Sequence, residues 1–424
     1  MKPVIEILAT GDEVVSGDVA DTNAAFVSKK LAVLGFQVTR HQAVPDDREL
    51  IAEALHLISK RSDICICSGG LGPTDDDLTT EVVAHLAGVK TVKNEEAITR
   101  MRARAAKRGV MFSETSVRSA WVPETAEICQ NEAGSAPAYS LKLGRCTFFF
   151  LPGVPVEFYF FVEKYFLPWM NAHSPEGNSE GSSATRQLKT LGLPEAALSD
   201  RFKDFSTLYP ALKVGYRAHG PEVWFKLTAE AATRMAALAL IEPGLNEARR
   251  RLEDVLWGAD EEELSEVVHE LLLKRRILLV TAESCSGGKI AQALTSYAGS
   301  SGYFRGGVVC YSNELKTSLL GVSPECLATF GAVSSECAKA MAEGALARLG
   351  GELAVSVTGL AGPTGESPGH PIGQVFVGLA SAAGTLVLER RFTGNRGRVQ
   401  NAATLTALEM IRRFVLKLPD LHRT

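Results

Sequence analysis

Thr281-Ala282-Glu283-Ser284-Cys285-Ser286-Gly287-Gly288 follows the short apolar run Ile277 to Val280 and precedes the amphipathic run Lys289 to Leu294. That order spells strand, polar turn, helix. In an open α/β sheet such a turn lies at the carboxyl edge of a parallel strand, where ligands bind. The unsatisfied N–H groups that open the following helix favour an anion there. Ser284, Cys285, Ser286, Gly287 and Gly288 therefore form a candidate site. Taken alone, one such turn is also what an ordinary Ser/Gly-rich connection looks like.

A second segment adds to the first. Gly299-Ser300-Ser301-Gly302-Tyr303-Phe304-Arg305-Gly306-Gly307 leads into an apolar strand expected over Val308 to Tyr311, and Ser312-Asn313-Glu314-Leu315-Lys316 opens a helix. Ser301, Tyr311 and Lys316 are thus expected around one strand. A serine hydroxyl is a poor nucleophile until a base takes its proton. A lysine serves as that base when burial or a neighbouring cation disfavours its charged form. The chain has 8 His, none of them in these two segments, so a Ser-Lys arrangement is easier to build here than a Ser-His-Asp one. The ordinary alternative is a solvated helix lysine and a helix-capping serine.

Two further edge turns follow. Ser356-Val357-Thr358-Gly359-Leu360-Ala361-Gly362-Pro363 comes after the apolar strand Leu353 to Val357, and Phe392-Thr393-Gly394-Asn395-Arg396 precedes the final helix. Arg396 offers a planar fork of donors for a phosphate. Read in order, TAESCSGG, GSSGYFRGG, YSNELK, TGLAGP and GNR resemble the motifs of the carboxy-terminal domain of the CinA family, also found alone as nicotinamide mononucleotide (NMN) deamidase. The resemblance spans about residues 262 to 417. It implies hydrolysis of the nicotinamide amide of NMN to nicotinate mononucleotide and ammonia, with no cofactor. It implies Ser301 as nucleophile, Lys316 as its base, Tyr311 assisting, and Ser284 and Thr358 supporting. Cys285, Ser286, Gly287, Gly288, Gly359 and Arg396 would bind the substrate. Cys285 remains a rival nucleophile, because a thiolate is intrinsically the better one. Backbone N–H groups of the glycine-rich turns suit the oxyanion that forms during attack on an amide.

The amino-terminal end carries a second constellation. The strand Val4 to Leu8 runs into Thr10-Gly11-Asp12-Glu13, and Asp21-Thr22-Asn23 starts a helix. A strand over Asp63 to Cys67 ends in Ser68-Gly69-Gly70-Leu71-Gly72-Pro73-Thr74-Asp75-Asp76-Asp77-Leu78-Thr79, and the strand Cys146 to Phe150 in Leu151-Pro152-Gly153-Val154-Pro155-Val156-Glu157. A glycine-rich turn before a helix suits a diphosphate. Adjacent aspartates repel that ligand unless a hard divalent cation bridges them; capping of a helix is their other use. GDE, DTN, SGGLGPTDDDLT and LPGVPVE resemble the molybdopterin-binding fold and, within it, the amino-terminal domain of CinA proteins. That resemblance implies an ADP-ribose pyrophosphatase using Mg²⁺, Mn²⁺ or Co²⁺. Asp76 and Asp77 would hold the metal. Thr10, Gly11, Asp12, Glu13, Asn23, Gly69, Gly70, Leu71, Gly72, Pro73, Thr74, Thr79, Gly153 and Glu157 would hold ADP-ribose. A non-catalytic nucleotide- or pterin-binding module is the alternative.

Composition bounds the rest. A chain of 424 residues accommodates two or three domains. A net charge of −4 gives no field for nucleic acid or an anionic membrane. Eight scattered Cys point to a reducing, cytoplasmic setting, and Met1-Lys2-Pro3 enters a strand with no signal-like segment. The aromatic run Phe158 to Trp169 contains Glu163, Lys164 and Pro168, too charged for a membrane span and suited to packing on the first domain. Residues 171–184 are rich in Ser, Gly and Glu, the composition of a flexible linker. The expected organisation is α/β throughout. A three-layer molybdopterin-binding-like domain covers 1–170, and a small domain resembling the KH fold covers 185–258. In the latter, helices are expected over Glu195 to Phe202 and Pro243 to Leu256. An α/β deamidase domain covers 259–424. Tyr216-Arg217-Ala218-His219-Gly220 lacks the GXXG loop of an RNA-binding KH domain. Both catalytic motif sets favour a bifunctional pyridine-nucleotide enzyme, expected as a homodimer, over a competence-related interaction protein.

Overall fold

The structure is a computed structural model that describes residues 3–173, 182–366 and 369–421. The expected linker falls partly outside them: residues 174–181 are not described, residues 171–173 close the helix Leu167–His173, and the strand Ser182–Leu191 begins the next element. Two compact units are present, Met1–Ala184 with Glu230–Ala237, and Thr185–Ala229 with Leu238–Thr424.

In the first unit, Ile5–Thr10, Ile64–Ser68 and Cys146–Leu151 are short β-branched and aromatic runs buried on both faces, as strands in the middle of a layered sheet must be. Among the described residues the sheet order is Val38–Val44, Ile5–Thr10, Ile64–Ser68, Cys146–Leu151, Ala138–Leu143, Glu127–Cys129. The first four strands are parallel and the last two antiparallel. Alternation builds two cores. Cys65, Cys67, Phe148 and Phe150 point to the layer of Arg48–Arg61 and Thr79–Ala87. Ile64, Ile66 and Phe149 point to Thr22–Val33 and to the aromatic helix, where Phe158, Phe161 and Phe166 are buried. The aromatic run thus packs on this sheet as expected. Cys65 and Cys67 share a face, with Sγ atoms 3.7 Å apart.

A small antiparallel sheet follows along the chain in the order Lys213–His219, Glu222–Ala231, Ser182–Leu191, Leu256–Ala259. Its long helix runs Arg234–Arg251 with Pro243 inside it, so Pro243 does not start a helix as expected. Ala237, Ile241, Leu245, Ala248 and Leu252 are buried at helical spacing on both sides of the proline, and that continuous apolar stripe carries the helix through it. A five-stranded sheet follows in the order Phe304–Val309, Leu279–Glu283, Leu353–Gly359, Gln374–Ser381, Gly384–Arg391. Its first three strands are parallel and its last two antiparallel, so both large sheets are mixed. Leu264–Arg275 and Arg396–Leu416 cover one face, Ser335–Leu349 the other. No helix among the described residues is long and apolar enough to cross a membrane.

The final helix carries a fully buried carboxylate, Glu409, gripped by Arg412 and Arg413 at 2.7 Å each. Arg412 also donates to the Leu256 carbonyl, at 3.0 Å, and Arg413 to those of Asp254 and Pro419. Removing one member of such a group leaves buried charge uncompensated. Glu409→Ala is therefore expected to lose about 3–5 kcal/mol of the unfolding free energy of this unit, read as a lower urea midpoint in a chemical denaturation curve.

Candidate functional site

The three parallel strands of the five-stranded sheet end level with one another. Glu283 pairs with Val309 on one side and Val357 on the other, so the chain that follows each strand meets at one edge. Ser284 is held there by its backbone N–H, which donates to the Val357 carbonyl at 2.9 Å. On the neighbouring side, the Ser312 hydroxyl caps the helix Asn313–Leu320, and Lys316 points from its first turns back under the sheet edge. Lys316 is 2% exposed. Its Nζ donates to Ser284 Oγ at 3.1 Å and to the Cys310 carbonyl at 2.9 Å. Among the described residues no carboxylate lies within ion-pair distance of it.

This pairing corrects the expected one. Ser301 sits in the turn Ser300–Gly302, before the strand Phe304–Val309, whereas Lys316 follows that strand. Six strand residues at about 3.3 Å each put roughly 20 Å between the two ends. Ser301 is exposed at the amino end, so the serine beside Lys316 is Ser284.

The expected anion site is also filled from within. Glu283 is 1% exposed. Its carboxylate accepts hydrogen bonds from the Ser286 hydroxyl (2.7 Å) and from the N–H groups of Gly288 (3.0 Å), Ile290 (3.1 Å) and Ala291 (2.8 Å). The start of the helix Lys289–Thr295 thus has its own anion. Ser286 and Gly288, expected to bind substrate, are spent on it, and the Gly287 N–H is spent on the Ser284 carbonyl at 3.1 Å. Cys285 and Ser286 follow directly on Ser284 and are both buried.

Cys285 is buried, and burial above all pushes its thiol up to about 12, against the pull of Lys316 and Arg396. A thiol so rarely ionised is a poor nucleophile. Its carbonyl accepts from the Gln400 side chain at 2.9 Å, a support not foreseen from sequence. Thr358 is buried and donates to the Ala332 carbonyl at 2.6 Å, which fixes a loop rather than a ligand. Gly359 packs so closely that a Cβ would lie 2.5 Å from the Gln374 carbonyl oxygen. Arg396 donates to the Tyr311 hydroxyl at 2.5 Å and to the Gly362 carbonyl at 2.9 Å. Tyr311 is exposed, so this pair stands at the outer rim.

In the other unit, the strand ends Thr10, Ser68 and Leu151 again share an edge. Above them lies a cavity of about 450 Å³. Asn23 ties two of its turns together, donating to Ser68 Oγ and to the Gly153 carbonyl at 2.8 Å each. Gly70 admits no side chain, since a Cβ there would lie 2.0 Å from the buried Thr79 hydroxyl. Thr79 therefore sits behind the loop, 3.2 Å from the Thr10 hydroxyl, and not in the cavity. Glu157 lines the cavity and accepts from Asn131 at 2.5 Å.

The carboxylates divide by role. Both Asp77 oxygens are taken by its own loop, from the Gly72 N–H (2.7 Å), the Thr74 N–H (2.9 Å) and the Thr74 hydroxyl (2.5 Å). Asp77 thus braces the loop and also lines the cavity. Asp75 is held by Arg118 at 2.8 Å. Asp76 lines the cavity with Glu13, Asp21, Asp46, Asp77 and Glu157, and no Lys, Arg or His lines it. Asp46 escaped the sequence reading. It follows the parallel strand Val38–Val44, and its backbone and that of Asp12 exchange hydrogen bonds with each other's carboxylates, at 3.1 and 3.2 Å. Burial, then the charges of Asp12, Glu13 and Asp76, raise its carboxyl above the usual range. Glu13, Asp46 and Asp76 thus offer hard oxygens to a cation in a cavity with no positive side chain, although no three such groups already stand in ligating array among the described residues.

Three family descriptions match the chain: a probable molybdopterin binding domain over 6–172, a damage-inducible protein CinA KH domain over 185–258, and a CinA C-terminal domain over 261–415. A CinA-like protein of Myxococcus xanthus is 40% identical over 419 residues, 98% of this chain and 99% of that one. A putative competence-damage inducible protein of Acetivibrio thermocellus is 36% identical over 413 residues, 97% and 99% of the two chains. Among solved structures, the competence/damage inducible protein CihA of Agrobacterium tumefaciens is 42% identical over 35% of this chain and 92% of its own, with a TM-score of 0.35.

The raised Asp46 has a consequence for stability. A carboxyl whose pKa is higher folded than unfolded costs stability once the pH has risen through both values, and costs nothing below them. Asp46→Asn is expected to raise the thermal unfolding midpoint of the metal-free protein at pH 7, with the gain vanishing towards pH 3. Calorimetry at the two pH values measures it.

Proposed function

The chain belongs to the CinA family, and from that premise we propose that its carboxy-terminal domain hydrolyses the amide of NMN, with Ser284 as nucleophile and Lys316 as base. The observation that carries this reading is the 3.1 Å contact between a serine hydroxyl and a buried lysine that has no carboxylate partner. Neutral Lys316 takes the Ser284 proton as Oγ attacks the amide carbon. The carbonyl oxygen becomes an oxyanion, for which each well-placed N–H donor of the turn would be worth about 3–4 kcal/mol. The C–N bond breaks, Lys316 returns the proton to the departing ammonia, and water then cleaves the acyl-serine by the same base. Arg396 and Tyr311 at the rim supply donors for the phosphate of the nucleotide.

For the amino-terminal domain we propose cleavage of the diphosphate of ADP-ribose to AMP and ribose 5-phosphate. A cavity lined by carboxylates without a single cationic side chain repels a free diphosphate. A divalent cation held by Glu13, Asp46 and Asp76 would supply the charge neutralisation that diphosphate cleavage needs. Asp77 keeps the glycine loop that lines the cavity in shape.

Ser284→Ala is expected to abolish ammonia release from NMN and to leave AMP release from ADP-ribose intact, while Ser301→Ala retains both. Lys316→Arg holds its proton and is expected to be as inactive as Lys316→Met. Deamidation that survives in Ser284→Ala and is lost in Ser301→Ala would overturn the assignment. EDTA is expected to silence ADP-ribose cleavage and spare NMN deamidation. Equal loss of both, measured on the same preparation, would refute the division between a metal-dependent and a metal-free half.

A further inference from the structure

Across the glycine loop from the acidic cavity lies a second cavity of about 350 Å³, and Gly70, Leu71, Gly72 and Asp77 line both. The two differ in chemistry. The first holds carboxylates and no aromatic ring. The second holds the indole of Trp121, the hydroxyls of Thr80 and Thr91, and the Glu81–Arg118 pair. Trp121 is 37% exposed, an unusual cost for so large a ring. It is also fixed in place: its strand Trp121–Pro123 pairs antiparallel with Thr91–Lys93, and the Lys93 ammonium lies 5.6 Å from the ring centroid. Glu81 is held by Arg48 at 2.6 Å and by Arg118 at 3.2 Å.

We propose that this second cavity is the base subsite for the nucleotide whose diphosphate occupies the first. The proposal rests on the diphosphate reading of the acidic cavity. A nucleoside diphosphate has a charged middle and a planar aromatic end, and the acidic cavity provides nothing for the aromatic end to stack on. Trp121 supplies a π-face, and stacking of a base on an aromatic side chain is insensitive to which base it is. Thr80 and Glu81 supply edge partners. The Tyr139 hydroxyl donates to Thr80 Oγ1 at 3.1 Å, which leaves the Thr80 proton for a ring nitrogen. The Glu81 carboxylate can accept from an exocyclic amine. The two cavities flank one loop, Gly70, Leu71 and Gly72, so a nucleotide lying over that loop would reach both.

The test is titration of the full-length protein with AMP and, separately, with ribose 5-phosphate, in the presence of Mn²⁺, followed by calorimetry and tryptophan fluorescence. Trp121→Ala is expected to weaken AMP roughly 5- to 150-fold, the range that loss of one base stack gives, and to leave ribose 5-phosphate unchanged. Trp121→Phe keeps a ring and is expected to restore most of the AMP affinity while the AMP-dependent quenching disappears. AMP affinity unchanged in Trp121→Ala, an equal loss for ribose 5-phosphate, or no AMP binding by the parent protein would each overturn the proposal. AMP binding that depends on Trp121 in a protein that leaves ADP-ribose uncut would sink the hydrolytic reading alone.

Discussion

The carboxy-terminal site depends on one buried carboxylate. Glu283 ends a strand, and its side chain turns forward to accept four hydrogen bonds around the start of the next helix. A buried anion without a cation is tolerable only because the helix start presents oriented N–H groups and a partial positive charge. The turn between, Ser284 to Gly288, is thereby closed into one shape. There Ser284 meets Lys316. The same pattern of Gly-rich turn and helix start that suggests an anion-binding ligand site is here self-satisfied.

The two sheet edges solve opposite electrostatic problems. At one, a buried lysine meets a hydroxyl and a carbonyl oxygen, with no carboxylate within ion-pair distance among the described residues. At the other, acids crowd a cavity with no base among its lining residues. The first arrangement suits proton transfer to and from a neutral amide; the second suits an ion brought in from solution.

Much of this was legible in the chain. The alternation of Ile64–Ser68 and Cys146–Leu151 states that these strands are buried on both faces, and the Gly-rich turns after them mark the functional edges. Ser301 misled because similarity of motif order does not say at which end of a strand a motif falls. Ser301 precedes Phe304–Val309 and Lys316 follows it, so strand length alone separates them. The brace that Asp77 makes was not legible, because only the positions of the Gly72 and Thr74 donors show it. Asp46 was missed because its signal is the register of Val38–Val44 beside Ile5–Thr10, which local sequence does not carry. Pro243 was over-read: a continuous apolar stripe outweighs one missing N–H.

The antiparallel edge of the five-stranded sheet has a practical side. The hairpin Ser381 to Gly384 joins Gln374–Ser381 to Gly384–Arg391, and Ser381 lies opposite Leu353, the first residue of the strand whose far end carries Thr358. Ala382, Ala383 and Gly384 are exposed. A fluorophore or peptide tag grafted into that tip would therefore sit a full strand length from Ser284, on a loop of the kind that accepts insertions most readily, which makes the hairpin a natural handle for immobilising or labelling the folded protein.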